Sequence, residues 1–252
     1  MEILVGLFIL CACFASIIAF FIVLFVLWQR SRPPSPQQQA SAANAAQVDR
    51  EESVATLLPW STQCLGDLAC QWRGTRTLAL VGSEYRGQIA SLSDPQGSSA
   101  LAFHLSGKGR QGVLRLWTSD RQMQLDFRAD GSTSVSGCLV GSIRPDGELL
   151  DSAGQSIGAY PRRRGFRFVM GSIPVAPRYT SAELNRRAVA EINEGLVRRS
   201  GPFAASAATR PLIHNLRADV TREEEDWLIA LIGLELIYNV RREFNAAAGQ
   251  GV

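Results

Sequence analysis

The chain has 252 residues, a formal charge of +3 and 46% hydrophobic residues. So small a positive excess does not by itself argue for nucleic acid, and no nucleic-acid partner is expected. Almost all of the positive charge is guanidinium, because Lys108 is the only lysine.

The apolar residues are concentrated at one end. Residues 3–28 read ILVGLFILCACFASIIAFFIVLFVLW without a single charge. At ~1.5 Å per residue a helix of this length reaches roughly 39 Å, enough to cross a ~30 Å hydrocarbon core. A cleaved signal peptide fits less well. Met1-Glu2 offers no basic n-region, the run exceeds the ~7–15 residues of such a peptide, and it ends on Trp28-Gln29-Arg30 rather than on small residues. The expectation is a single-span anchor over residues 1–30. Arg30 and Arg32 flank its C-terminal end, which by the positive-inside bias puts the N-terminus outside and the remaining body in the cytoplasm. Cys11 and Cys13 read as small apolar filler within the span.

Residues 31–53 follow as a disordered linker: prolines, then glutamines, alanines and serines, with almost nothing to bury. The rest, 54–252, is expected to be one globular α+β domain, β-rich over 75–172 and helical over 180–248. Leu65, Leu68 and Trp72 at helical spacing predict a short helix over 61–71.

From Thr77 to Gly171 the hydrophobic period is two. The pieces are 77–81, 87–92, 99–105, 112–118, 122–129, 133–143 and 165–171. Met123, Leu125 and Phe127 alternate with Gln124, Asp126 and Arg128, the pattern of a half-buried strand, and Leu114 and Leu116 oppose Arg115 in the same way. Asp130-Gly131, Asp146-Gly147 and Ala153-Gly154 supply turn chemistry between them. Short strands without interleaved helices predict an antiparallel meander or barrel.

Motifs that would carry chemistry are scarce. The string Ser106-Gly107-Lys108-Gly109-Arg110-Gln111-Gly112 lacks the phosphate-loop order and opens no helix, so it reads as a hairpin loop. His104 alternates with Phe103 and Leu105 and has no evident nucleophile beside it, which makes it a strand-face histidine. Cys64, Cys70 and Cys138 are odd in number and widely spaced, and on the cytoplasmic side they are expected to be free thiols. A Cys64–Cys70 bridge would follow only from the opposite topology. Neither His104 nor His214 stands near a cysteine pair, so no zinc pattern exists. No catalytic residue, metal or cofactor is expected.

One cluster stands out. Arg162, Arg163, Arg164 and Arg167 are interleaved with Phe166 and Phe168. On a tethered domain the nearest abundant partner is an anionic lipid surface, where each arginine contributes ~1 kcal/mol. These four are the candidate lipid-binding residues; a solvated hairpin tip is the alternative.

Towards the end, Ser181 as N-cap and a stripe of Leu184, Ala188, Ile192 and Leu196 predict a helix over 181–199. Thr221-Arg222-Glu223-Glu224 is a capping box, launching a run from Trp227 to Val240 that is apolar nearly all round. At about 14 residues, with Glu235 inside it, that run is too short and polar to be a second span and must be enclosed by protein.

Antiparallel strands followed by one enclosed apolar helix resemble the tubby C-terminal-like domain, shared with phospholipid scramblase and LURP-one-related proteins. The matching stretches are 141–160 (GSIRPDGELLDSAGQSIGAY) and the closing helix over 226–244. The resemblance implies a β-barrel wrapped around that helix. A second similarity lies over 100–127, where FHLSGKGRQGVLRLW resembles the strand–GxxG–strand core of membrane-anchored cytochrome oxidase assembly factors. Three functions follow as expectations. The first is a membrane-anchored, non-enzymatic binding or scaffold protein at a membrane surface. The second is a subunit or assembly factor with a membrane-protein partner, and the third an enzyme of unknown class.

Overall fold

The computed structural model describes Phe20, residues 54–79, 82–94, 97, 99–108, 110–161, 178–199 and 207–247, the last seven as backbone alone. Alternation of apolar and polar side chains dominates it. Thirteen strands and two helices follow in order: α1 (Thr62–Gly66), β1 (Leu68–Ala79), β2 (Gly82–Ser91), β3 (Leu101–Lys108), β4 (Gln111–Trp117), β5 (Gln122–Phe127), β6 (Thr133–Gly137), β7 (Gly141–Ile143), β8 (Glu148–Asp151), β9 (Ser156–Ala159), β10 (Tyr179–Leu184), β11 (Arg187–Asn193), β12 (Val197–Arg198), β13 (Ile213–His214) and α2 (Arg222–Ala247).

All strands belong to one sheet, in the order β12-β1-β2-β3-β4-β5-β6-β7-β8-β9-β10-β11-β13. Every pairing is antiparallel except that of β12 with β1. Register sets the faces: Leu105, Leu114, Leu125 and Val135 stand side by side on four successive strands, all buried. Trp72, on the same face of β1, meets Phe103 and Tyr85 edge-on at 5.4 and 6.2 Å. Tight reversals use the expected chemistry, with Gly131 and Gly147 at φ 93° and 95°, a backbone region that a Cβ disfavours. The sheet's two ends are then joined. Residues 210–213 bond to β1 on one side, through Cys70 N–H to the Arg210 carbonyl (2.9 Å) and Leu212 N–H to the Leu68 carbonyl (2.7 Å), and to β11 on the other. The sheet closes on itself.

α2 fills the space inside. Thr221 and Glu224 cap it reciprocally: Thr221 N–H donates to Glu224 Oε2 (2.9 Å) and Glu224 N–H to Thr221 Oγ1 (3.3 Å). Residues 224–237 are all buried, so no side of this stretch faces water. Close approach is possible because small residues stand at the contacts. A Cβ on Gly233 would meet Leu116 Cδ1 at 2.7 Å and Leu114 Cδ2 at 3.1 Å, and one on Gly141 would meet the Trp227 ring at 2.9 Å.

Several expectations are corrected here. The predicted helix over 181–199 is the β10–β11 hairpin, reversed at Asn185 (φ 51°) and Arg186 (φ 64°). Positions 184, 188, 192 and 196 lie four apart, which satisfies period two as well as a helical stripe. A bulge after Ala182 then buries Val189 and Ala190 together and leaves Ala188 exposed. The predicted helix over 61–71 is only the five residues of α1, because β1 begins at Leu68. Among the described residues the fold is therefore a large, mostly antiparallel sheet with two named helices, not a domain ending in two helices.

The expected single-pass anchor is corrected as well. Among the described residues no helix is long and apolar enough to cross a membrane. The one long helix, α2, carries Glu223, Glu224, Glu225, Asp226 and Glu235 and is taken up by the sheet. Residues 3–28 lie, apart from Phe20, outside the described residues. The integral-membrane placement, with outside N-terminus and cytoplasmic body, has no structural support. The linker over 31–53 also lies outside them.

Because Leu231 is fully buried at the centre of α2, Leu231→Ala should cost about 2–5 kcal/mol in chemical denaturation. An unchanged denaturation midpoint would place the helix at the surface instead.

Candidate functional site

With the inner face occupied by α2, the groups available to a partner stand on the outer face. On β2, β3 and β4 the inward residues Tyr85, Ile89, Phe103, Leu105, Leu114 and Leu116 leave Arg86, His104 and Arg115 pointing outward. Register puts these three in one row: Arg86 pairs with His104, His104 with Arg115, and Arg115 with Gln124 of β5. Neighbouring strands are ~4.8 Å apart, so the three-residue row spans roughly 10 Å. The Arg115 guanidinium donates from Nε to Gln124 Oε1 (3.3 Å) and has no described carboxylate beside it. Glu84 lies 3.8 Å from both Arg86 Nη2 and His104 Nε2. Arg110 stands exposed at the tip of the β3–β4 hairpin. Planar guanidinium groups of this kind suit two-pronged contacts with phosphate or carboxylate oxygens.

A second set of charges is consumed by the fold. At the start of α2, Arg121 donates to Glu225 Oε2 and Asp226 Oδ1, each at 2.7 Å, with all three side chains nearly buried. Burial works against the Arg121 guanidinium, yet its hydrogen bonds to Glu225 and Asp226 outweigh that and hold it above its ordinary value. Burial raises the Asp226 carboxyl in spite of that partner. Thr62 of α1 also donates to Glu225. Across the same end, Arg187 bonds to Glu224 Oε2 and Asp219 Oδ2, again at 2.7 Å. The Arg187 bond holds the Glu224 carboxyl below the usual carboxylate range, and Arg217 and then Arg187 do the same to Asp219. These carboxylates belong to the helix mooring, which leaves them no ligand to hold.

Cys64, Cys70 and Cys138 are free. Burial pushes the Cys70 thiol up to about 12, and that of Cys138 to about 11, away from the reactive thiolate. His214 lies 3.5 Å from Glu191 through Nδ1 and packs against Tyr179. Among the described residues, no three His, Cys, Asp or Glu side chains converge as metal ligands.

The sequence-expected lipid contacts Arg162, Arg163, Arg164 and Arg167 lie outside the described residues. The glycine string joins β3 to β4: a Cβ on Gly112 would meet the Ser106 carbonyl at 2.3 Å and the Phe127 ring at 2.6 Å. Gly107 and Gly112 therefore serve close packing. The Arg86–His104–Arg115 row was not visible in the sequence, since it exists only once three strands are paired in register. The mooring by Arg121 and Arg187 had a partial signal, the acidic first turn of α2.

No protein-family model, curated protein or solved structure matches this chain. The site has to be read from its own geometry.

The Arg187 mooring has a definite pH dependence. Because Glu224 and Asp219 have depressed folded-state values, their contribution is complete above the unfolded carboxylate range, ~4, and is lost as pH falls through the folded values. Arg187→Gln should lower the melting temperature at pH 7, and the gap to the unaltered protein should narrow as the pH is taken below 4. A gap independent of pH would contradict the mooring.

Proposed function

We propose that the chain is a non-enzymatic binding or scaffold domain that works through its outer face, with anionic lipid headgroups as its ligand. One observation carries this reading. The interior is filled by α2, while on the opposite strand face Arg86 is exposed and Arg115 half-buried, on either side of the largely buried His104. A peripheral contact of this kind needs no membrane-spanning segment. The arginine-rich stretch around Arg162, Arg163, Arg164 and Arg167 is proposed as a second contact to the same surface. The tubby-like resemblance is proposed on the same arrangement, one apolar helix with strands packed around it.

Enzymatic function has less to rest on. A general base has to lie within hydrogen-bond reach of its nucleophile, whereas His104 and His214 each stand near a glutamate, Glu84 at 3.8 Å and Glu191 at 3.5 Å.

The test uses residues 50–252, a compact unit by itself. This fragment should bind phosphatidylcholine vesicles containing phosphatidylserine at low salt, and release them as salt is raised. At ~1 kcal/mol for each arginine, Arg86→Gln with Arg115→Gln should weaken binding by ~2 kcal/mol, roughly thirtyfold, with the fold intact. Arg162→Gln, Arg163→Gln and Arg164→Gln together report on the second contact. A parent fragment that ignores anionic vesicles at low salt would end the lipid reading.

A further inference from the structure

From β1 to β8, each strand is held to the next by at least three consecutive antiparallel pairs. The junction between β1 and β11 is built differently. Those two strands do not pair with each other; residues 210–214 lie between them as a strap. Its bonds to β1 are the two from Cys70 and Leu212 already described, around the bridge of Ala69 with Pro211. On the β11 side Asn193 N–H donates to the Leu212 carbonyl (2.8 Å), and Ile192 and Glu191 stand opposite Ile213 and His214. Pro211, in the middle of the strap, has no N–H to contribute. Beside it, β12 adds only two parallel pairs to β1, with Arg199 N–H donating to the Trp72 carbonyl (2.8 Å). Among the described residues few backbone bonds cross here. β9 meets β10 through only two pairs as well, but directly and without an intervening strap. A segment held by few bonds opens at lower free energy than a continuous ladder.

Side chains compensate, and they come from the central helix. Asn239 of α2 is buried, at 5% exposure. Its Oδ1 accepts from Trp72 Nε1 on β1 (3.3 Å), and its Nδ2 donates to the Leu196 carbonyl between β11 and β12. One amide therefore ties both flanks of the junction to the helix. Cys70 Sγ adds a contact from β1 to the Pro211 carbonyl (3.1 Å).

We propose that this seam is the opening point built into the fold, and that Asn239 is the positioning residue coupling its closure to the seating of α2. When the C-terminal half of α2 is displaced, the seam loses its tie and the strap is released. When the helix is seated, the sheet is shut. An open seam presents the edges of β1 and β11 as acceptors for another strand. The coupling is independent of what the outer face binds.

Native-state hydrogen exchange on the full chain tests it. The amides of Cys70, Asn193, Arg199 and Leu212 should exchange roughly tenfold or more faster than those of Leu105, Leu114 and Leu125. Asn239→Leu should accelerate the seam amides by about a further tenfold and leave those of β3, β4 and β5 unchanged. If that variant does not fold, Asn239→Gln, which keeps both hydrogen-bonding groups on a longer arm, takes its place with the same expectation. Seam amides as slow as those of β3–β5 in the unaltered protein would overturn the proposal. So would a variant that accelerates all amides equally.

Discussion

A helix that is apolar on every side cannot be left against water, and the rest of this molecule follows from enclosing one. Trp227, Leu228, Ile229, Ala230, Leu231 and Ile232 are consecutive and all buried, so they point in every direction around the α2 axis. A two-layer packing would cover one side of such a helix. A sheet that curls round and closes covers all of it, and strands β1 to β11 with the strap at 210–214 supply that surface. Residues at the tightest contacts are chosen for space. Gly233 lets α2 approach Leu114, Leu116 and Leu125, and Gly141 lets Trp227 lie against β7. Closing the sheet also removes the free edges that an open one would present.

Enclosure creates a second problem, the polar groups carried inside with the helix. Most are met by a partner on the surrounding strands and loops; the buried Trp227 Nε1–H is an exception. The acidic first turn is moored by Arg121 and Arg187, Tyr160 donates to Glu235 (3.0 Å), and Asn239 is held by Trp72 and the Leu196 carbonyl. A buried carboxylate without such a partner would cost several kcal/mol. These contacts fix the rotation and depth of the helix, which apolar packing alone leaves less defined. They also account for many of the domain's charged side chains, which are engaged in holding the helix.

How much of this could be read from the sequence differs from element to element. Met123, Leu125 and Phe127 announced β5 because half-buried strands repeat every two residues, and Asp130-Gly131 and Asp146-Gly147 announced the reversals beside β6 and β8. The Thr221–Glu224 capping box marked where α2 starts. The β10–β11 hairpin was misread because a four-residue spacing fits a strand and a helix alike; Asn185 at a positive φ, which only tertiary pairing demands, decided between them. The strap was invisible, since Ile213-His214 is too short to show a period. Register was invisible too, and with it the Arg86–His104–Arg115 row. The apolar run of residues 3–28 was the strongest sequence signal, and apart from Phe20 it falls outside the described part of the molecule.

The central claim is that α2 is the core around which the sheet closes. It is tested most directly by the unfolding of a fragment spanning residues 50–219, which keeps every strand and lacks the helix. Without α2 the inner faces of Leu105, Leu114, Leu125 and Val135 have nothing to pack on. The account predicts an aggregating or molten product with no cooperative thermal transition. A soluble fragment that unfolds in one sharp, cooperative step would contradict it.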